Sequence, residues 1–407
     1  MSAHSFLRRQ ASRRGRRSKH ESLWGRPALE RLEDRTLLST LTVNSIGDGN
    51  VRDQSLTLRE GLLLANGALA FSDLTQEEKN QVTDGIPGSE LIDMIEFNID
   101  TGGLKTIQLT SPFPAITHPV IIDGTSQPLY VDKPLIELDG SLAGSSGSST
   151  PGLVIDAAGV TVRGLVIHSF AGHGIVVRGP GGAQIEGNYI GTDVTGLNDL
   201  GNGFSGVNIF NSPGNIVGGT TVAERNVISG NGEDGVAIVG GKATGNLVLG
   251  NYIGTDVTGM NDLGNTRHGV LMTSPSDPAF GTEAASGNTI GGETAEARNV
   301  ISGNGQDGVQ IAFGAHNNQV EGNFIGTKAN GVEALGNSRH GVAIFDSSAN
   351  TIGGLTLVPG TAPGNVISAN RGDGVFIGTG AAEGNVTDNY VQGNLIGTDK
   401  NGDFRAA

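Results

Sequence analysis

The chain has 407 residues, of which 67 are glycine and none is cysteine, and only 4% are aromatic. Its formal net charge is -15, yet residues 1–40 hold ten Lys or Arg and four Asp or Glu, which leaves 16 basic and 37 acidic side chains in the rest. This acidic body argues against nucleic acid as a partner, and disulfide bonds are excluded. No membrane span is predicted, because the sequence has no run of 18 apolar residues.

Residues 1–40 are predicted to form a disordered basic leader. Within it, the segment RPALERLEDRTLLS (26–39) resembles the Leu-Glu-rich export motif, ending in Leu-Leu-Ser, of large exported proteins from planctomycete-type bacteria. The resemblance implies an extracellular or cell-surface location. The alternative is a short amphipathic helix with no sorting role, and cleavage of the leader is left open.

Residues 41–90 are predicted to form an N-terminal cap of one strand and one helix. Leu58 and Leu62 follow helical spacing, Thr57 occupies an N-cap position, and Glu60 follows three residues later. The run LTLREG (56–61) resembles the Cys-Ser-Leu-Arg-Glu-Ala segment that opens many bacterial surface β-helix proteins, with Leu and Gly in place of its Cys and Ala. A short apolar helix here would cover the open end of a solenoid.

Beyond residue 90 the chain is repetitive. After an early unit at Gly152, units of the form Gly-Val/Ile-x-Ile/Val/Met begin 29 to 39 residues apart, at Gly174, Gly206, Gly235, Gly269, Gly308, Gly341 and Gly374. Each period also holds two short strands that follow an Asn. The decapeptide GNYIGTDVTG occurs at 187–196 and again at 250–259. Two kinds of loop alternate, so the larger repeat spans two coils.

Three short strands per period cannot bury an apolar face alone, but stacked periods would form three parallel sheets around one apolar column. Val and Ile should point inward and the residue between them outward, and the Asn side chains should bridge neighbouring coils. The pattern resembles the right-handed parallel β-helix family of pectate lyases, polygalacturonases and many bacterial surface proteins. We predict an all-β fold, a right-handed three-sheet parallel β-helix over residues 91–407 with a short N-terminal capping helix. The chain ends within a coil, at GTDKNGDFRAA, which predicts a truncated C-terminus.

The residue before each Gly-Val unit is the first candidate site. After His173 and Ser205, Asp and His alternate in this position, and the candidate catalytic residues are Asp234, His268, Asp307, His340 and Asp373. Stacked on successive coils, they could bind a metal or move protons. The alternative, which we favour, is a turn position with mutually neutralising neighbours, because catalytic sites rarely extend evenly over five coils.

A second column stands beside Ile in the Asn-x-Ile strands. It places aromatic rings on alternate coils, near two glutamates, and the candidate ligand-binding residues are Tyr189, Tyr252, Phe324, Glu186 and Glu321. Outward-facing rings could stack on sugars, and the alternative is packing beneath loops. No cofactor or metal site is predicted, although DKNGD (399–403) matches part of a calcium loop and leaves calcium as an alternative.

No nucleophile elbow, phosphate-binding loop or zinc-protease motif is present in the sequence. The leading interpretation is an exported, extracellular or cell-surface protein with a structural or adhesive role, which binds polysaccharide or a cell-surface protein and is not an enzyme. The alternative is a carbohydrate-active enzyme, a polysaccharide lyase or glycoside hydrolase acting on acidic polysaccharide. The sequence leaves the oligomeric state open.

Overall fold

The computed structural model describes residues 38–88, 92–100, 102–144, 149–380 and 386–403, which belong to one compact unit. Residues 1–37, which hold most of the basic leader and nearly all of its export motif, lie outside the described residues. Two α-helices, Leu58–Ala65 and Gln76–Lys79, and three 3-10 helices, Phe71–Asp73, Gly124–Ser126 and Pro278–Phe280, occur in the described chain. All other regular structure in those residues is β-strand.

The strands of the described residues form three sheets. In spatial order, a twelve-stranded sheet contains Val82–Thr83, Thr40–Val43, Asp93–Phe97, Val120–Asp123, Thr161–Arg163, Gln184–Glu186, Ile216–Gly218, Leu247–Leu249, Thr289–Gly291, Gln319–Glu321, Thr351–Gly353 and Tyr390–Gln392. A ten-stranded sheet contains Lys105–Gln108, Ile136–Asp139, Leu165–His168, Tyr189–Ile190, Val227–Ile228, Tyr252–Ile253, Val300–Ile301, Phe324–Ile325, Val366–Ile367 and Leu395–Ile396. An eight-stranded sheet contains Leu153–Ile155, Ile175–Val177, Val207–Phe210, Val236–Val239, Val270–Thr273, Val309–Ala312, Val342–Phe345 and Val375–Gly378.

After the first three strands, which share the twelve-stranded sheet, consecutive strands along the chain belong to different sheets, and each pairs in parallel with its counterpart one coil away. Val207–Phe210, for example, pairs with Val236–Val239 through four aligned residues. Within the described residues, one pair is antiparallel, Thr40–Val43 with Val82–Thr83. The chain therefore winds as the predicted three-sheet parallel β-helix, with the right-handed connections that parallel strands almost always take.

One apolar column fills the interior, as the alternating pattern predicts. Val207 and Ile209 are fully buried, whereas Asn208 between them is half-buried on the outer face. The same arrangement recurs from coil to coil, and it also includes residues of the predicted N-terminal cap. In the last described coil the inward positions Ile377 and Ile396 are 40% and 45% exposed, because no described strand stacks on them.

The helix Leu58–Ala65 begins with a complete capping box. The Thr57 hydroxyl accepts the backbone N–H of Glu60, and the Glu60 carboxylate accepts the backbone N–H of Thr57. The helix packs its buried leucines into the same core as strand Asp93–Phe97. That it shields the end of the solenoid stays a prediction.

Buried asparagines form ladders along the coils. At each step the side-chain Nδ2 and the backbone N–H of one Asn donate to Oδ1 of the next, as between Asn251 and Asn299 at 3.1 and 2.9 Å. Two ladders confirm the prediction: Asn188, Asn226, Asn251, Asn299, Asn323, Asn365 and Asn394, and Asn215, Asn246, Asn288, Asn318, Asn350 and Asn389. A third was not predicted: Asn202, Asn231, Asn265, Asn304, Asn337 and Asn370. The ladders satisfy backbone groups at corners where strand pairing stops.

Candidate functional site

The structure brings the five candidate catalytic residues together in one column, at the turn that enters the eight-stranded sheet. Oδ1 of Asp307 accepts the backbone N–H of His340 at 2.9 Å, and Nδ1 of His340 accepts the backbone N–H of Asp373 at 3.0 Å. In the same way, Oδ1 of Asp234 accepts the backbone N–H of His268 at 3.1 Å, and Nδ1 of His268 accepts the backbone N–H of Asp307 at 3.3 Å. Each side chain thus holds the turn of the following coil.

The histidine rings of the column serve as hydrogen-bond acceptors in this arrangement. The Nδ1 atoms of His268 and His340 each accept a backbone N–H of the next coil. Both Nδ1 atoms lie 3.4 Å from an Oδ2 of the next aspartate, longer than an ordinary hydrogen bond. Burial raises the pKa of Asp307, but the contact with the His268 ring, the His340 N–H and the Arg339 guanidinium outweigh burial and hold the pKa below its usual value.

Burial limits what the column can do chemically. His268 is 1% exposed and Asp307 is 0% exposed, so a substrate in the native fold does not reach them. Asp373 lies at the exposed end of the column, and Asp234 lines a groove that is described below. The middle of the column is therefore a structural turn ladder, the interpretation that its even spacing favoured.

His173 opens this column and is held in a largely apolar setting. Its Nδ1 accepts the backbone N–H of Ser205 at 3.1 Å, its Nε2 lies 3.1 Å from the Asn208 carboxamide, and its ring meets Phe204 edge-on with centroids 5.2 Å apart. Burial lowers the pKa of His173 to about 4. The ring therefore stays neutral over the ordinary pH range.

Acidification from pH 7 to pH 4 is expected to destabilise the fold through His173. An unfolded histidine binds a proton near pH 6.5, whereas His173 in the folded protein does so only near pH 4. Between these two pH values the unfolded state binds more protons than the folded state. The free energy of unfolding therefore decreases as the pH is lowered. The shift corresponds to about 3 kcal/mol. Urea titrations measure this effect. Between pH 7 and pH 4, the free energy of unfolding of His173→Asn should fall by about 3 kcal/mol less than that of wild type. His316→Asn, at an exposed ring, should match wild type, and an unchanged pH dependence in His173→Asn would contradict the assignment.

The aromatic column lies on the outer face of the ten-stranded sheet, but loops cover it. Tyr189 is 7% exposed and packs with Val194 and Val257, and Phe324 is 4% exposed and packs with Ala329. The expectation that these rings stack on sugars is corrected for Tyr189 and Phe324, because the loops remove both rings from the surface.

Arginines complete the cover over this column. The guanidinium carbon of Arg225 lies 4.3 Å from the centre of the half-buried Tyr252 ring, and that of Arg298 lies 4.1 Å from the centre of Phe324. The same guanidiniums donate to main-chain carbonyls of the next coil. Cation–π contacts of this kind hold the aromatic rings in place.

Glu186 and Glu321 lie in the twelve-stranded sheet, in a different sheet from the aromatic rings. Burial raises the pKa of both carboxyls, and a neighbouring glutamate adds to the shift in each case. Glu186 lines a cavity of about 320 Å³, where it is 3.9 Å from the Arg163 guanidinium. That guanidinium already pairs with Asp123 at 2.6 Å. The structure therefore does not join the two glutamates and the aromatic column into one site.

The loops above the aromatic column begin in the repeated decapeptide and are closed alike. Asn198 Nδ2 donates to Asp193 Oδ2 at 2.9 Å, and the equivalent bond joins Asn261 to Asp256 at 2.7 Å. In the third copy, Lys328 pairs instead with Glu333 at 2.7 Å. The two aspartates thus accept hydrogen bonds within their own loops. The described residues contain no cluster of three or more His, Asp or Glu placed to hold a metal ion.

A groove of about 580 Å³ lies on the outer face of the eight-stranded sheet. Its floor is one column of outward residues on four consecutive strands, Asn208, Ala237, Leu271 and Gln310. With strands about 4.8 Å apart, the floor is about 14 Å long. These residues escaped prediction from the sequence because they share no residue type.

Two walls and one end define this groove. Glu233, Asp234 and Arg267 form the first wall, and Ser274 to Ser276 form the second, at the start of the loop 274–286. Phe313, which is 63% exposed, lies at the end. The sequence carried one signal for the second wall, since the widest spacing between Gly-Val units, 39 residues, contains this loop.

Aromatic contact anchors the loop 274–286 across the sheet. Phe280 meets Phe210 edge-on, with ring centroids 5.4 Å apart, and its carbonyl accepts Asn211 Nδ2 at 3.4 Å. A second groove of about 740 Å³ begins at Phe210 and is lined by Arg178 and Lys242. The anchored loop keeps the wall of the first groove in place.

The charged side chains of the first groove lie close to one another. Arg267 Nη1 lies 4.0 Å from Glu233 Oε1. Burial raises the pKa of Glu233, as does the adjacent Asp234, while Arg267 opposes the shift. Burial also raises the pKa of Asp234, against the opposing effects of His268 and Arg267. The groove therefore holds two carboxylates with raised pKa values beside one guanidinium.

Within the part of the chain that the structure describes, no helix has both the length and the apolar character needed to cross a membrane.

Comparison with known proteins gave structural likenesses only: no family model and no curated protein matches the sequence. The chain is similar to the A-module of the mannuronan C-5 epimerase AlgE6 of Azotobacter vinelandii, with 13% identity, a TM-score of 0.43, and coverage of 74% of this chain and 90% of that one. It is similar to the periplasmic alginate epimerase AlgG, with 14% identity, a TM-score of 0.38, and coverage of 75% of this chain and 77% of that one. It is also similar to the Dettilon tailspike protein gp208, with 15% identity, a TM-score of 0.28, and coverage of 75% of this chain and 62% of that one. Likenesses this low leave the function to be inferred from the groove itself.

Proposed function

We propose that this is an exported, extracellular or cell-surface β-helix protein with an adhesive or structural role, which binds polysaccharide in the groove on the eight-stranded sheet without cleaving it. The observation that carries the proposal is the composition of this groove, where polar side chains on the walls flank a partly apolar floor. Sugars present both hydroxyl groups and apolar ring faces, and such sites recognise both. The export-motif resemblance in the leader supports the location.

The direction of the sheet suits a linear polymer. Equivalent floor positions recur about every 4.8 Å, so a glycan chain lying along the helix axis would meet a new side chain at each coil. Leu271 and the exposed Phe313 offer apolar surface for ring faces, and Gln310 offers a carboxamide for hydroxyl groups.

The proposal of binding without cleavage is supported by the state of the turn column. His268 and Asp307 use their side chains to hold backbone N–H groups and are buried, and His340 does the same at the next turn. A general base needs a free lone pair within reach of the substrate. None of these three residues meets that requirement in the native fold.

One observation favours an enzyme as the second candidate. Glu233 and Asp234 lie in the groove with raised pKa values beside Arg267. A carboxyl group that keeps its proton to higher pH is the usual general acid of glycoside cleavage. The second candidate is therefore a polysaccharide lyase or glycoside hydrolase centred on Glu233, since the adjacent Asp234 is only 2% exposed.

Binding assays with a panel of oligosaccharides, with and without calcium, test both candidates. We expect binding without release of products, and about tenfold weaker binding for Leu271→Ala and for Gln310→Ala, because each removes floor contacts worth about 1.4 kcal/mol. Val222→Ala, at a 77% exposed side chain on another corner of the molecule, should bind like wild type.

Product release that disappears in Glu233→Gln or Asp234→Asn would establish the enzyme instead. If no oligosaccharide binds, or if Leu271→Ala and Gln310→Ala bind like wild type, the groove is not the binding site.

A further inference from the structure

The charges around the groove bear on which glycans it accepts, an inference that rests on the proposed function. The described residues that line it include two carboxylates, Glu233 and Asp234, and a single cation, Arg267. That cation already lies against Glu233 at 4.0 Å. A ligand carboxylate or sulfate would therefore meet a wall with two carboxylates and one guanidinium, whose net charge is negative.

The other polar groups of the groove are uncharged. Asn208 and Gln310 contribute carboxamides, and Thr273, Ser274 and Ser276 contribute hydroxyl groups. Such groups exchange hydrogen bonds with sugar hydroxyls equally well as donors and acceptors. They give no preference for an anion, unlike the bidentate guanidinium that usually selects carboxylate or sulfate.

The field of the whole molecule acts in the same direction. Beyond residue 40 the chain holds 37 acidic and 16 basic side chains, so an approaching polyanion is repelled before it reaches the groove. One cation of the neighbouring groove, Arg178, is held in an ion pair with Asp156 at 2.7 Å.

We infer that the groove on the eight-stranded sheet selects uncharged polysaccharides and rejects uronate and sulfate polymers. The acidic polysaccharide expected for the enzyme alternative is thus the class that this surface fits least. Hydroxyl groups of a neutral glycan would pair with the carboxylate of Glu233 and with the carboxamides, while ring faces would pack on Leu271 and Phe313.

Calorimetric titration with paired oligosaccharides tests this inference. The probes are cellohexaose, mannohexaose and β-1,4-galactohexaose on the neutral side, and hexagalacturonate, hexamannuronate and a sulfated galactan hexasaccharide on the acidic side, each in 20 mM and 500 mM NaCl. We expect at least one neutral probe to bind, with less than a twofold change between the salt concentrations, and every acidic probe to bind at least tenfold more weakly, because screening matters only for charged ligands.

Charge reversal on the wall supplies the matched variants. Glu233→Lys should strengthen binding of an acidic probe at least tenfold at low salt, and the gain should vanish in 500 mM NaCl. Glu296→Lys makes the same change in net charge on an exposed loop away from the groove and should leave the preference unaltered.

The possible results separate this inference from the proposed function. Wild-type preference for acidic probes, weakened by Leu271→Ala, would overturn the inference and leave the binding groove intact. Equal gains in Glu233→Lys and Glu296→Lys would also overturn it, because the wall would then have no special effect. Failure of every probe to bind would overturn the proposed function itself.

Discussion

Replacement of Asn251 by alanine is expected to lower the free energy of unfolding by about 4 kcal/mol or more, because several buried polar groups lose their partners at once. Asn251 Oδ1 accepts the backbone N–H and the Nδ2 of Asn226 at 3.3 and 3.0 Å. Its Nδ2 donates to the Val217 carbonyl at 2.8 Å and to Asn299 Oδ1 at 3.1 Å. All four asparagine and valine groups lie inside the molecule, where water does not replace the lost bonds.

Chemical denaturation measures the loss, with Asn198→Ala as the matched control. Asn198 is exposed, and its side chain donates to Asp193 within one loop, so its removal should cost less than about 1 kcal/mol. Because a solenoid is stabilised coil by coil, hydrogen exchange should show the largest loss of protection in the coils next to Asn251. Equal destabilisation by Asn251→Ala and Asn198→Ala would mean that the ladder contributes little to stability.

The ladders also show which parts of the fold the sequence could predict. Asn188 and Asn215 each stand directly before an apolar strand, and this fixed position recurs often enough to predict both of their ladders. The third ladder was missed because Asn202 and Asn231 precede glycine, and an Asn-Gly pair ordinarily indicates a turn. Their side chains bridge coils at a corner, which becomes evident only when the coils are stacked.

The turn column and the aromatic column were found by their spacing, but their roles depend on tertiary contacts. Whether Asp307 acts on a substrate or on the N–H of His340 depends on a backbone group 33 residues away. Whether the Tyr189 ring is exposed depends on the loop above it. The groove floor escaped prediction for a related reason, since only the strand register places Leu271 beside Gln310.

Contacts between loops give the repeated decapeptide a structural explanation. Its loops contact one another across the intervening coil, with the Val257 N–H donating to the Gly196 carbonyl at 3.0 Å and the Ala329 N–H donating to the Gly259 carbonyl at 2.9 Å. Loops that stack on one another must turn in the same way, so their sequences are alike. Each copy of the motif thus supports the next one.

A strict steric demand in the decapeptide falls on the glycine after its strand. Gly254 has φ of +86°, and a Cβ atom there would lie 2.3 Å from the Ser302 carbonyl oxygen and 2.4 Å from Asn304 Oδ1. Gly254→Ala is therefore expected to cost about 4 kcal/mol, as the sum of an unfavourable backbone conformation and the displacement of a neighbouring coil. Since Asn304 belongs to the third ladder, that displacement would also strain its bond to Asn337 at 2.9 Å.

Gly245→Ala separates the two contributions in denaturation experiments. Gly245 has φ of +65°, and a methyl group added there would have no atom within 4 Å, so its replacement carries only the conformational cost of about 1 to 2 kcal/mol. The difference between Gly254→Ala and Gly245→Ala then measures how firmly the next coil is held against the turn. A difference near zero would show that neighbouring coils yield to one another at this corner. A difference of about 2 kcal/mol or more would show that close stacking between coils, rather than the turn conformation alone, requires glycine at this position of the repeat.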